Sequence, residues 1–123
     1  MEIHRNSSLK KFNTFNVDEV AQLIFEIDNI SDLPNILSNK KDEILVLGGG
    51  SNILFTKSYN GLIIKLKNKG KKIIQEDENA VLVEVSAGEN WHEFVLWAIK
   101  NNFGGLENLS LIPGNLGAAP IQN

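Results

Sequence analysis

The sequence predicts an α+β fold, in which a small strand–helix–strand unit precedes a β-hairpin and a second helix. Three observations support this prediction. Residues 44–47 are all apolar and lead into three consecutive glycines, which is typical of a short strand that enters a tight loop. Residues 81–85 alternate valine with Leu82 and Glu84, as in one strand of a hairpin. Apolar side chains then recur at helical spacing between Trp91 and Ala98.

The first half of the chain is predicted to contribute three strands. We expect these strands over residues 21–27, 44–47 and 61–67. The second of them is predicted to be buried on both faces, because its four side chains are all apolar. The polar segment before the first strand, residues 7–16, is predicted to wrap over the surface with Phe12 and Phe15 as anchors.

A short helix is predicted between the first two strands. Ser31 is a suitable N-cap residue, Asp32 lies in the first turn, and Pro34 is tolerated near a helix start. We expect this helix to end near Lys40. Its apolar face would consist of Leu33, Ile36 and Leu37.

The second half is predicted to contain a hairpin and a longer helix. The hairpin strands would span residues 72–75 and 81–85, around the turn Asp77-Glu78-Asn79. Asn90 can cap a helix that runs from Trp91 to about Asn101. Its core-facing side chains would be Trp91, Phe94, Val95 and Ala98.

Composition excludes several classes of function. The chain has 123 residues and no cysteine, so disulfides, thiolate catalysis and cysteine-ligated metal sites are excluded. A net charge of −3 argues against a nucleic-acid partner, and the five lysines between Lys65 and Lys72 are interpreted as a solvated hairpin. We expect no metal site, since His4 has no evident partner and His92 lies beside core positions of a helix. The polar N-terminus and the absence of long apolar runs predict a cytoplasmic protein without a membrane partner.

The glycine loop after the strand at residues 44–47 is the clearest candidate binding site. Glycines let a ligand approach the backbone, and consecutive N–H groups with the Ser51 hydroxyl suit an anion such as a diphosphate. A tight turn without a ligand is the equally open alternative. The loop is not a Walker loop, because no lysine follows Gly50, and it is not a dinucleotide fingerprint, because Ile53 takes the place of the third glycine.

Four stretches of the chain together resemble the UDP-N-acetylenolpyruvoylglucosamine reductase family. They are Asn13-Thr14-Phe15, Leu47 to Phe55, Ala87-Gly88-Glu89-Asn90-Trp91, and the glycine-rich tail from Gly105-Leu106-Glu107 through Ile112-Pro113-Gly114 to Pro120-Ile121-Gln122-Asn123. Their order and spacing span nearly the whole chain. Within the wider flavin-oxidase superfamily, the run Gly117-Ala118-Ala119-Pro120-Ile121-Gln122-Asn123 favours the reductase.

The resemblance implies a two-lobed FAD-binding domain of the flavin-oxidase type, with FAD between the lobes. The first lobe would be residues 1–67 and the second, incomplete lobe residues 68–123. The diphosphate would be held by Leu47, Gly48, Gly49, Gly50, Ser51 and Asn52. The isoalloxazine and ribityl chain would be lined by Ile112, Pro113, Gly114, Gly117, Ala118, Ile121, Gln122 and Asn123.

The resemblance also implies the reaction of the full-length relatives. In this family NADPH reduces the flavin, which passes hydride to the enolpyruvyl ether of a UDP-sugar during peptidoglycan synthesis. The assisting serine, glutamate and arginine of the family lie beyond residue 123, so no catalytic residue is assigned here. We therefore expect the chain alone to be inactive, to lack the substrate domain, and either to self-associate through its second lobe or to have a disordered tail. The alternatives are another FAD-linked oxidase acting on an alcohol or sugar, and a non-catalytic nucleotide-binding module.

Overall fold

The computed structural model describes residues 1–38 and 43–121, and the chain forms two compact units. Unit 1 is Met1–Asn68 and unit 2 is Lys69–Asn123. Strands and helices are present in both, so the α+β class predicted from the sequence is confirmed. Within the described ranges, the helices are too short and too polar to cross a membrane.

Unit 1 is built on a four-stranded mixed sheet. Its strands are β1 (Glu2–Ser8), β2 (Val20–Ile27), β3 (Ile44–Leu47) and β4 (Tyr59–Leu66). They lie in the order β1-β2-β4-β3. β1 pairs antiparallel with β2, whereas β2 and β3 both pair parallel with β4. The predicted strands at 21–27, 44–47 and 61–67 are thus confirmed, the last beginning two residues earlier.

Both faces of this sheet carry a hydrophobic core. On one face the cluster is Leu9, Phe12, Ala21, Ile24, Leu47, Phe55 and Ile63. On the other face the cluster is Leu23, Ile27, Ile36, Leu62 and Ile64. The two central strands therefore carry the continuous apolar runs that burial on both faces requires.

One sequence-based expectation about the strands is wrong. β3 is an edge strand rather than one buried on both faces: Val46 is 64% exposed, because β3 has β4 as its neighbour on one side only within the described sheet. Residues 2–8 form strand β1 in addition to the predicted strands. Most β1 side chains are exposed, which explains why no apolar alternation marks it. The following segment buries Phe12 but leaves Phe15 59% exposed, so only the first of the two predicted anchors is correct.

The short helix of unit 1 begins differently from its prediction. A 3-10 turn at Ile30–Asp32 leads into α1 (Leu33–Ser38). The Asn29 side chain caps this turn by accepting a hydrogen bond from the Ser31 N–H, so Ser31 is not the N-cap. Ile36 is the buried residue of α1, and Leu37 is 44% exposed. The predicted end near Lys40 lies outside the described residues.

Gly50 is required by close packing within unit 1. Its φ is +70°, a conformation that costs a residue with a Cβ about 1–2 kcal/mol. A Cβ at this position would lie 2.0 Å from the carbonyl oxygen of Phe12 and 2.8 Å from the Cα of Asn13. Both contacts are with backbone, which cannot swing aside as a side chain can. The absence of a side chain at Gly50 thus serves the protein's own packing.

A buried carboxylate ties β1, β2 and the end of β4 together. Glu26 on β2 accepts a hydrogen bond from His4 Nε2 at 2.9 Å and lies 3.3 Å from Lys67 Nζ. His4 therefore does have a partner, contrary to the sequence-based expectation. Burial raises the pKa of Glu26, but the hydrogen bonds from His4 and Lys67 outweigh burial and hold that pKa below its usual value.

Unit 2 consists of a hairpin, a helix and a glycine-rich tail. The hairpin strands are β5 (Lys71–Glu76) and β6 (Val81–Val85), which pair antiparallel. Asp77 closes the turn through its carboxylate, which accepts hydrogen bonds from the N–H groups of Asn79 and Ala80. The hairpin predicted from the sequence is confirmed.

The helix of unit 2 is also confirmed, as α2 (Trp91–Lys100). Its N-cap is Asn90, whose side chain accepts a hydrogen bond from the Glu93 N–H. Phe94, Val95 and Ala98 are buried, whereas Trp91 is only partly buried. The tail that follows contains two 3-10 segments, Glu107–Leu109 and Leu116–Ile121.

Leu111 in this tail has a strained backbone. Its φ is +63°, and its side chain is 78% exposed. The side chain therefore offers little apolar burial to offset the cost of a left-handed conformation, which is lowest for glycine.

We expect Gly50→Ala to destabilise unit 1 by at least about 2 kcal/mol, because the new Cβ meets backbone and the φ is unfavourable. Gly104→Ala is the matched control, since a Cβ there has nothing within 4 Å. The free energy of unfolding of the control variant should stay within about 1 kcal/mol of the wild-type value. Amide hydrogen exchange of β2 and β4 measures the effect, and equal protection in the two variants would contradict it.

We expect Glu26→Gln to remove part of the acid sensitivity of unit 1. A carboxyl whose pKa is lowered by folding stabilises the fold above its unfolded-state pKa of about 4.3, and this contribution is lost as the pH falls through the folded value. At pH 7 the free energy of unfolding of the variant should be about 1–3 kcal/mol lower than that of wild type. Urea unfolding followed by circular dichroism should show that this difference in free energy shrinks toward pH 3. Exposed Glu78→Gln is the control, and a constant difference at every pH would refute the assignment.

We expect Leu111→Gly to stabilise unit 2 by about 1 kcal/mol, because glycine relieves the left-handed strain. Both tryptophans of the chain lie in unit 2, so urea unfolding followed by tryptophan fluorescence reports on it directly. Leu82→Gly removes a similarly exposed leucine from strand β6 and should destabilise. Equal losses in the two variants would show that Leu111 is not strained.

Candidate functional site

The glycine loop lies at the carboxyl end of two neighbouring parallel strands. It follows β3, and Leu47 at the end of β3 is in register with Lys65 on β4. Ligands of open sheets with parallel strands bind beyond this end of the strands. The Leu47 side chain is buried in the core, so only its backbone can contact a ligand. Gly48 and Gly49 are partly exposed, and Asn52 is exposed.

Two carbonyl groups of the loop are held by the protein. The Gly48 oxygen accepts a hydrogen bond from Lys65 Nζ at 2.8 Å. The Gly50 oxygen accepts one from the Thr14 N–H at 3.0 Å, and the Thr14 hydroxyl lies 3.5 Å away. In a planar trans peptide the N–H points opposite to the C=O. The N–H groups of Gly49 and Ser51 therefore point away from Lys65 and Thr14, respectively.

Asn13 fixes the segment that supports the loop. Its buried side chain donates to the carbonyl oxygens of Leu9 at 2.8 Å and Val17 at 3.0 Å, and accepts from the Val17 N–H at 3.0 Å. These three hydrogen bonds close the turn that carries Thr14. The Asn13-Thr14 pair, which the sequence marked only by resemblance, thus has a physical role in holding Gly50.

The sequence does not reveal the contact that Lys65 makes in this region. Its run of lysines predicts a solvated side chain, but Lys65 lies on β4 and is half-buried. Burial of the amine lowers the pKa of Lys65, and Lys67 lowers it further, whereas Glu26 opposes this effect. The sequence around a lysine at the end of an apolar strand does not reveal which group its ammonium will contact. That group depends on which other strand becomes its neighbour in the sheet.

The glycine-rich tail of unit 2 packs on the turn between β6 and α2. The Leu116 N–H donates to the Glu89 oxygen at 2.8 Å, and the Gly117 N–H donates to the Ala87 oxygen at 3.0 Å. The Trp91 N–H donates to the Gly114 oxygen at 3.1 Å. The segment Ala87–Trp91 and the tail, two of the stretches that carry the family resemblance, are therefore joined by backbone hydrogen bonds.

Small residues are required where these two segments meet. A Cβ at Gly117 would lie 2.7 Å from the Cβ of Ala87. The predicted ligand-lining residues differ in exposure: Ile112, Gly114 and Ala118 are partly buried, whereas Pro113, Gly117 and Ile121 are exposed. Gln122 and Asn123, also predicted to line the ligand, lie outside the described residues.

Glu89 anchors the turn to the start of the hairpin. Its buried carboxylate accepts a hydrogen bond from the Gly70 N–H at 2.9 Å and lies 3.1 Å from Lys71 Nζ. Lys69 Nζ donates to the Gly88 oxygen at 2.6 Å. Burial raises the pKa of Glu89, but the Gly70 N–H and the two lysines outweigh burial and keep that pKa below its usual value. Lys71 is thus a structural cation, whereas Lys69 is 60% exposed, as predicted for a solvated hairpin, although its ammonium bonds the Gly88 carbonyl.

Two α2 side chains hold the tail. His92 Nδ1 lies 2.9 Å from the Ser110 hydroxyl and accepts a hydrogen bond from the Leu111 N–H at 3.3 Å. The Trp91 indole N–H donates to the Leu109 oxygen at 2.7 Å. This arrangement agrees with the structural role predicted for His92.

One cluster of potential metal ligands lies on β1 and β2. Ligand atoms of Glu2, His4 and Glu26 lie within 4.8 Å of one another. Lys67 Nζ lies 3.7 Å from Glu2 and 3.3 Å from Glu26. The ammonium group therefore already supplies a positive charge to both carboxylates, and we assign the cluster to the ion-pair network of unit 1.

Comparisons with known proteins agree with the resemblance drawn from the motifs. The chain is 52% identical over 124 residues to UDP-N-acetylenolpyruvoylglucosamine reductase of Flavobacterium johnsoniae, covering 100% of this chain and 37% of the relative. It is 40% identical over 126 residues to the enzyme of the same name from Pseudomonas aeruginosa, again covering 100% of this chain and 37% of the relative. The chain thus spans little more than a third of the length of these relatives.

A solved structure supports the fold. The crystal structure of UDP-N-acetylenolpyruvylglucosamine reductase (MurB) from Thermus caldophilus matches with a TM-score of 0.73 and 24% identity. The match covers 97% of this chain and 41% of that chain. Residues 21–123 also match the family described as FAD binding domain, which is most of the chain. The chain therefore belongs to the FAD binding domain family.

Proposed function

We propose that the chain binds FAD and that Leu47, Gly48, Gly49, Gly50, Ser51 and Asn52 hold its diphosphate. The observation that carries this proposal is the orientation of the loop peptides. Lys65 holds the Gly48 carbonyl and Thr14 holds the Gly50 carbonyl, so the Gly49 N–H points away from Lys65 and the Ser51 N–H points away from Thr14. Backbone N–H groups of a glycine turn that face a common ligand form an anion-binding concavity, and we assign this role to Gly49 and Ser51.

The residues of the loop fit a diphosphate in two further respects. Gly48 and Gly49 are partly exposed and carry no side chain that would keep a ligand from the backbone. Gly50 is different, since its missing Cβ faces Phe12 and Asn13. We therefore assign Gly50 to shaping the loop, and Gly49 and Ser51 to donating hydrogen bonds.

We also propose that the tail contacts the flavin and ribityl portions of FAD. The residues concerned are Ile112, Pro113, Gly114, Gly117, Ala118, Ile121, Gln122 and Asn123. Support comes from the small and apolar side chains of this segment, which suit a flat ring.

For the whole protein, we propose the reaction that its relatives' name describes. FAD would be reduced by NADPH and would supply hydride transfer to the enolpyruvyl group of a UDP-sugar, in the synthesis of peptidoglycan. We propose with it a cytoplasmic location and a role in cell-wall growth, cell shape and division. The residues of this chain would bind and orient FAD. Ser110 is not proposed as a proton donor, because it lies in the tail that we assign to the cofactor.

Titration of the purified 123-residue chain with FAD tests the proposal. We expect Ser51→Ala to weaken FAD binding by at least about tenfold, because it removes a hydrogen bond to a charged group. Ser58→Ala is the matched control, since Ser58 is exposed and its hydroxyl contacts Glu19. Flavin fluorescence and calorimetry measure the affinity. Lack of FAD binding by the wild-type chain would refute the proposal, and equal binding by the two variants would remove Ser51 from the site.

A further inference from the structure

Lys65 brings a cation to a glycine loop that has no lysine of its own. Because β3 and β4 pair in parallel, with Leu47 opposite Lys65, the lysine lies beside the last residue before the loop. Its Nζ lies 2.8 Å from the Gly48 oxygen. Lys65 thus contacts the loop from the neighbouring strand through the Gly48 carbonyl, whereas the lysine of a Walker loop reaches the phosphates.

The side chain of Lys65 is partly buried and lies near an aromatic ring. The residue is half-buried, and Nζ lies 5.8 Å from the centre of the Phe12 ring, whose face attracts a cation. Glu26 on β2 and Lys67 beyond β4 are the charged groups that act on its ammonium. Keeping an ammonium half-buried costs free energy, which a methionine of similar length would avoid.

We propose that Lys65 is a positioning residue for an anionic diphosphate ligand and acts through the peptide group between Gly48 and Gly49. By holding the Gly48 carbonyl, Lys65 aims the Gly49 N–H to the opposite side, where the proposed diphosphate binds. Its positive charge also polarises this peptide group and strengthens the N–H as a donor. The inference rests on the proposed function, because it requires a diphosphate at the loop.

Affinity measurements on three variants test this role. Lys65→Met keeps the length of the side chain and removes its charge and hydrogen bond, whereas Lys65→Arg keeps both. Lys57→Met removes an exposed lysine of unit 1 as the matched control. We expect Lys65→Met to weaken binding of FAD and of inorganic pyrophosphate by about 10- to 100-fold. Lys65→Arg should stay within about threefold of wild type, and Lys57→Met should match it.

The pH dependence of binding distinguishes a Lys65 that positions the loop for the ligand from a Lys65 that is needed only for the stability of unit 1. Burial lowers the pKa of Lys65, so the wild-type chain should lose affinity for pyrophosphate as the pH rises and the amine becomes neutral. Lys65→Arg should keep its affinity over the same range, because guanidinium stays charged. Lys65→Met should bind weakly at every pH. Unit 1 of each variant should retain wild-type amide protection in β2 and β4 without ligand.

The outcomes distinguish this inference from the proposed function. If the wild-type chain binds FAD and pyrophosphate and Lys65→Met binds them equally well, the inference fails while the proposed function stands. If Lys65→Met loses amide protection in step with affinity and Lys65→Arg does not restore binding, the lysine is structural and the inference also fails. If the wild-type chain binds neither ligand, both proposals fall.

Discussion

The contact of Gly50 with the backbone of Phe12 and Asn13 is the constraint on which unit 1 depends. It brings the segment before β2 against the loop after β3, two parts of the chain separated by 36 residues. A side chain at Gly50 would force them apart. The three hydrogen bonds of the Asn13 side chain keep this segment in place, so Thr14 can hold the Gly50 carbonyl. The direction of the loop peptides follows from this contact.

In the described part of each unit, a buried carboxylate joins distant segments. Glu26 links β1 and the end of β4 to β2, and Glu89 links the turn before α2 to the start of the hairpin. Lysines from one basic stretch serve both carboxylates: Lys67 contacts Glu26, and Lys71 contacts Glu89. Breaking such a buried pair leaves an uncompensated charge, which is costly. The basic stretch is therefore largely part of the structure, and a basic surface for nucleic acid is not needed to explain it.

The hydrogen bonds to the carbonyls of the glycine loop connect the packing of unit 1 to the proposed binding site. Lys65 holds the Gly48 carbonyl and Thr14 holds the Gly50 carbonyl, which sets the direction of the N–H group in each of these two peptides. Membership of the FAD binding domain family and the proposed diphosphate site therefore rest on independent grounds. One is similarity over residues 21–123, and the other is the direction of individual peptide groups.

The sequence by itself determined the elements whose signals are local. The Asp77 turn, the Asn90 cap and the apolar face of α2 each depend on residues within a few positions of one another, and they were predicted correctly except that Trp91 is only partly buried. The glycine loop and the tail were also identified, through their motifs. Tertiary structure alone decided that β3 lies at the sheet edge with Val46 exposed, that His4 bonds Glu26, and that Lys65 reaches Gly48. These outcomes depend on which strands become neighbours, and strand neighbours are set by packing between segments that are far apart along the chain.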